Sequence, residues 1–115
     1  MSRLQDLGAV ADLPDPGSRA FAVDGVDGFL VRRGGLVRAY VDKCPHIGAP
    51  LAWSPDTYLD AEGELIQCAM HGALFLPDSG ECVHGPCAGQ GLTPVAIRIQ
   101  DGRVLLDPDE LPEID

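Results

Sequence analysis

Gly28-Phe29-Leu30-Val31-Arg32-Arg33-Gly34-Gly35-Leu36-Val37-Arg38-Ala39-Tyr40-Val41-Asp42 reads as a β-hairpin. Two apolar-rich runs flank a pair of glycines, and glycine supplies the positive φ that a two-residue hairpin turn needs. Near the C-terminus a second hairpin follows the same logic. Val95 to Gln100 alternates apolar and polar residues, placing Val95, Ile97 and Ile99 on one face. Asp101-Gly102 is its turn, and Arg103 to Leu106 returns.

Shorter strands are expected over Leu4 to Val10, Phe21 to Val23, Glu64 to Gln67 and Leu74 to Leu76. Between them lie turn signals: Asp12 to Ser18, Asp24-Gly25, and Pro77 to Gly80. Cys82 to Gly91 reads as a Gly/Pro loop, and Trp53 to Gly63 as a polar one. No stretch of ten or more residues carries a helical pattern. With 14 glycines and 10 prolines in 115 residues and no repeat, turns must join many short strands. The expected fold is all-β, in one compact domain spanning residues 1–115. Residues 107–115 form an acidic, proline-broken tail, loose or docked.

The formal net charge of −10 repels nucleic acid and anionic membranes and attracts a basic protein partner. The first residues lack the apolar core of a signal peptide. No apolar run approaches the roughly 20 residues of a membrane helix. A cytoplasmic location is the expectation. In a reducing cytosol, four cysteines read as ligands or buried thiols rather than structural disulfides.

Two motifs carry chemistry. The first hairpin runs straight into Cys44-Pro45-His46, and the strand expected before residue 68 runs into Cys68-Ala69-Met70-His71. Each pairs a thiolate, which suits soft iron–sulfur centres, with an imidazole, which suits iron or zinc. Bare spacing leaves an alternative open: Cys68, His71, Cys82 and His84 also make a zinc pattern, and the chain would then be a zinc-stabilised interaction module. No nucleophile–base pair, phosphate loop or pair of catalytic carboxylates stands out, so no catalytic residue is assigned.

Cys44-Pro45-His46-Ile47-Gly48-Ala49-Pro50-Leu51 followed by Cys68-Ala69-Met70-His71-Gly72 resembles the Rieske ferredoxin family. Phe75, Ser79-Gly80 and Gly85-Pro86, the last resembling a proline-bearing loop over the cluster, extend the resemblance from about Phe29 to Leu106. It implies stacked antiparallel sheets with a small loop subdomain. There, one [2Fe–2S] cluster is bound by Cys44, His46, Cys68 and His71. Two ferric ions, two sulfides and two thiolates sum to a neutral oxidised centre, which takes an electron more readily than an all-cysteine one. The implied role is a one-electron carrier between a flavin-containing reductase and a terminal oxygenase, not itself an enzyme. The chain is too short to add the oxygenase's mononuclear iron domain. A Rieske-like small subunit of an assimilatory, nitrite-type reductase is the alternative within the same chemistry.

The spacer between the motifs, residues 47–67, is a few residues longer than usual in small ferredoxins. Ala49 and Met70 stand where cytochrome-complex relatives have a bridging cysteine pair. Ala73 and Phe75 stand where those relatives have a serine and a tyrosine that donate to the cluster. Fewer donors to sulfur stabilise the reduced state less, which implies a potential of roughly −150 to 0 mV. Cys82 and Cys87 are left over and read as small buried or half-buried thiols, with a disulfide across their loop, or a redox or packing role beside the cluster, as the alternatives; His84 reads as a solvent-facing loop residue. Trp53 is expected to pack under the long spacer, and Arg32, Arg33 and Arg38 to point outward from their strands.

Overall fold

The computed structural model describes residues 4–43, 58–60, 63–68, 73–85 and 90–111. Among them are nine strands: β1 Gln5–Ala9, β2 Gly17–Val23, β3 Val26–Arg33, β4 Leu36–Val41, β5 Ile66–Gln67, β6 Leu74–Phe75, β7 Cys82–His84, β8 Arg98–Gln100 and β9 Arg103–Leu106. They form three antiparallel sheets of three strands each, ordered β1-β9-β8, β2-β3-β4 and β5-β6-β7. The only helical segments among the described residues are two short 3-10 turns, Val10–Asp12 and Pro108–Glu110. The all-β fold of stacked antiparallel sheets is therefore as expected.

The central sheet β2-β3-β4 is buried on both faces, which explains the unbroken apolar run in β3. Phe29, Val31 and Tyr40 pack with Ile66, Cys68, Phe75 and Cys82 of the small sheet. Leu30, Val37, Ala39 and Val41 pack with Val104 and Leu106 of the terminal sheet. Complete burial of a side chain such as Phe29 or Phe75 contributes roughly 2–3 kcal/mol. The Gly34-Gly35 turn has φ of 62° and 83°, as the hairpin reading required. Asp24-Gly25 and Asp101-Gly102 turn in the same left-handed region.

Several boundaries differ from the sequence reading. β2 begins at Gly17, because full pairing with β3 from Gly17↔Arg32 to Val23↔Val26 absorbs part of the expected loop. Cys82–His84 is strand β7 rather than loop, since it pairs with β6. The alternation over Val95 to Gln100 does not mark one buried face. Val95 is buried, but Ile99 is 51% exposed. Val41 N–H donates to Thr93 O and Val95 N–H to Ala39 O, so this stretch first follows β4. It then crosses to become the edge strand β8, whose three residues all face solvent.

Arg32 does not point outward either. Its guanidinium donates to the carbonyls of Val10 and Leu13 at 3.0 and 2.9 Å, tying the first 3-10 turn to the central sheet. The tail is docked as far as Leu111, which packs on the second core. Trp53 and Cys87 lie outside the described residues. No helix among those described is long and apolar enough to cross a membrane.

Candidate metal centre

Strand β5 ends at Gln67 and delivers Cys68 into the core, where it is fully buried. The Cys68 N–H donates to Ala73 O at 2.8 Å, closing the chain over the four residues that include His71. Ala73, also fully buried, immediately precedes β6. β4 ends at Val41, and Asp42 and Lys43 lead directly to Cys44. Cys44, His46 and His71 themselves lie outside the described residues. The described stems thus come from two sheets that share one core, which contains Tyr40 near the end of β4 together with Cys68 and Ala73.

A third segment closes on this region. Gly85 follows β7 with φ of +105°, and a Cβ there would lie 2.8 Å from the Ala73 Cα. Backbone therefore packs on backbone where Gly85 meets the stem of the second motif, and any side chain at 85 would separate them. Cys82, across from Phe75, is buried, with its thiol donating to His84 O at 3.4 Å and its N–H to Gln90 O at 2.9 Å. His84 is exposed, as expected, though on a strand.

Among the described residues, no three His, Cys, Asp or Glu side chains are grouped to hold a metal. A centre built on Cys68 would need further donors from outside the described residues, where the sequence offers Cys44, His46 and His71. The donor set of the two motifs, two thiolates and two imidazoles, is chemically that of a mixed-ligand iron–sulfur centre.

The sequence reading passed over Tyr58, in a stretch taken as polar loop. Tyr58 is buried and stacks on Phe29 with ring centroids 4.2 Å apart and planes 6° from parallel. A lone aromatic between turn residues was the available signal.

Comparison with known proteins agrees with this geometry. The Rieske [2Fe-2S] domain family matches residues 3–105. The ferredoxin of carbazole 1,9a-dioxygenase from Nocardioides aromaticivorans IC177 is 25% identical, with a TM-score of 0.75 over 93% of this chain and 99% of that one. The quaternary ammonium Rieske monooxygenase CntA shares the fold at 19% identity and a TM-score of 0.77, over 95% of this chain but 32% of its own. Among curated proteins, the oxygenase component of chloroacetanilide N-alkylformylase from Rhizorhabdus wittichii (strain DC-6 / KACC 16600) is 43% identical over 60 residues. That match covers 52% of this chain and 15% of the relative's length.

The chain belongs to the Rieske [2Fe–2S] domain family. The cofactor this family membership implies is one [2Fe–2S] cluster, and the donor chemistry and close-packed stems described above fit it.

Proposed function

We propose that this chain is a ferredoxin-type one-electron carrier that passes electrons from a flavin-containing reductase to a terminal oxygenase. The observation that supports the reading is the likeness to a dioxygenase ferredoxin, 25% identical with a TM-score of 0.75 over 93% of this chain. The 43% identity to an oxygenase component favours a second reading, in which this sequence serves as the Rieske portion of an oxygenase. Both readings assign it the same electron-relay task.

In this proposal Cys44 and Cys68 would hold one iron, and His46 and His71 the other. When bound, the cluster accepts and returns a single electron. Burial of Cys68 shields its thiolate from water, and Gly85 packs closely on Ala73 in the second stem. Each histidine, holding iron through one ring nitrogen, would keep an ionisable proton on the other and so would couple electron uptake to a proton at alkaline pH. The net charge of −10 draws the carrier toward basic partner surfaces and makes association weaken with salt.

The test is visible absorption and low-temperature EPR of the full chain before and after dithionite. A red-brown protein whose reduced form gives a rhombic signal, with average g below that of all-cysteine clusters, supports the reading. Cys44→Ser and Cys68→Ser should abolish that signal, and Cys82→Ser should keep it. A colourless protein that retains zinc and gives no signal after iron–sulfur reconstitution overturns it.

A further inference from the structure

Tyr58 holds together the segments from which both ligand pairs depart. Its phenol O–H donates to Asp42 Oδ2 at 3.0 Å, and Asp42 stands two residues before Cys44. Its carbonyl accepts the N–H of Gln67 at 2.9 Å, and Gln67 immediately precedes Cys68. Its N–H donates to Ser18 Oγ of β2 at 3.2 Å. Its ring lies flat on Phe29 of β3, in the same buried cluster as Cys68. One residue of the long spacer thus touches the stem of the first motif, the stem of the second, and the central sheet.

From this we infer that Tyr58 is a positioning residue, fixing the separation of the two cluster loops through Asp42 on one side and Gln67 on the other. The inference rests on the ligand assignment proposed above. A rigid planar ring suits the task, because it has few torsions to freeze and packs tightly on Phe29. The described part of the long spacer then has a mechanical use: Tyr58 places a strut between the stems of two motifs that are distant in sequence. Supporting groups of this kind act on a metal centre by holding its ligands in place, and their removal typically costs ten-fold or more in metal retention.

The experiment uses the cluster-loaded full chain and the variants Tyr58→Phe, Asp42→Asn and Tyr58→Leu. It follows bleaching of visible absorbance under a chelator, EPR line width of the reduced state, and far-UV circular dichroism. Tyr58→Phe keeps the ring stack and loses the bond to Asp42. We expect cluster loss to quicken roughly three-fold in Tyr58→Phe and by less in Asp42→Asn, whose side-chain amide oxygen still accepts from the phenol. Tyr58→Leu should quicken it roughly ten-fold and broaden the EPR lines. Sheet dichroism should stay native in the Tyr58→Phe and Asp42→Asn variants, which separates loop positioning from general unfolding. If Tyr58→Leu fails to fold, the other two variants decide. Retention and line widths equal to the native chain in all folded variants overturn the inference while leaving the ligand assignment intact. A native chain without the Rieske signal overturns both.

Discussion

The Asp15 carboxylate accepts the N–H of Gly35 at 2.8 Å and, through its other oxygen, the N–H of Gly34 at 2.9 Å. Successive amides in a left-handed turn form a small concavity that favours an anion. Here the chain supplies that anion from the loop before β2, and Arg32 stands behind it with its Nε 3.9 Å from the same carboxylate. The hairpin at the far end of the central sheet is thereby tied to the loop over the second core.

Asp15→Ala should therefore destabilise the protein by about 1–3 kcal/mol, the usual cost of losing charge-assisted hydrogen bonds. Urea denaturation would show a lower midpoint with an unchanged slope. The reduction potential should not move, because the Gly34-Gly35 turn is at the opposite end of β4 from the stem that leads to Cys44.

Tyr40 sets an alkaline limit. Its hydroxyl donates to Pro77 O at 2.8 Å, joining the central sheet to the turn after β6. Burial pushes its pKa from 10.0 up to about 12, with Arg38 lowering it and Asp78 raising it by lesser amounts. The native state thus favours the neutral phenol. That contribution is complete below pH 10 and is lost as pH rises through about 12. Tyr40→Phe should cost about 1 kcal/mol at neutral pH through the lost hydrogen bond. It should also flatten the fall in stability between pH 10 and 12. Unfolding midpoints measured across that range test both statements, and parallel curves for the two proteins would contradict the second.

Why some of this was legible in the sequence and some was not has physical causes. The β3–β4 hairpin was readable because local chemistry alone dictates a Gly34-Gly35 turn. The thiolate and imidazole motifs were readable because metal chemistry restricts donor type and spacing. By contrast, β7 was hidden because Cys82–His84 is a strand only through pairing with β6, a contact between segments with no pattern of their own. Ile99 misled because alternation records two faces but does not say whether a neighbour covers either. Arg32 and Asp15 act on backbone groups about twenty residues away, which no local pattern encodes. Tyr58 is the extreme case, a single aromatic whose partners lie in four other segments.

The potential should respond to positions 73 and 75. Ala73 and Phe75 are fully buried in the core that holds Cys68, and neither side chain has a hydrogen-bond donor. On the proposed ligand assignment, the native midpoint should fall at roughly −150 to 0 mV. Ala73→Ser or Phe75→Tyr supplies one O–H to this region. A hydrogen bond to sulfur that favours the reduced state by about 1.4 kcal/mol raises a one-electron potential by roughly 59 mV. Redox titration followed by circular dichroism would measure it. A native midpoint above about +200 mV would contradict the argument that missing donors lower the potential.

Gly85 offers the sharpest test of how closely the end of β7 packs on Ala73. Gly85→Ala meets two obstacles with different remedies. The added Cβ would sit 2.8 Å from the Ala73 Cα and 3.1 Å from the Ala73 Cβ, and the backbone φ of +105° is one that alanine rarely adopts. The expected cost is about 1–3 kcal/mol in stability, with faster loss of the cluster. Removing the Ala73 methyl in the double variant Gly85→Ala, Ala73→Gly relieves only the longer contact. The closer contact is to main-chain carbon, and the strained φ remains. The double variant should therefore recover little. Full recovery of both stability and cluster retention would mean that side-chain crowding alone, rather than backbone geometry, makes glycine necessary at 85.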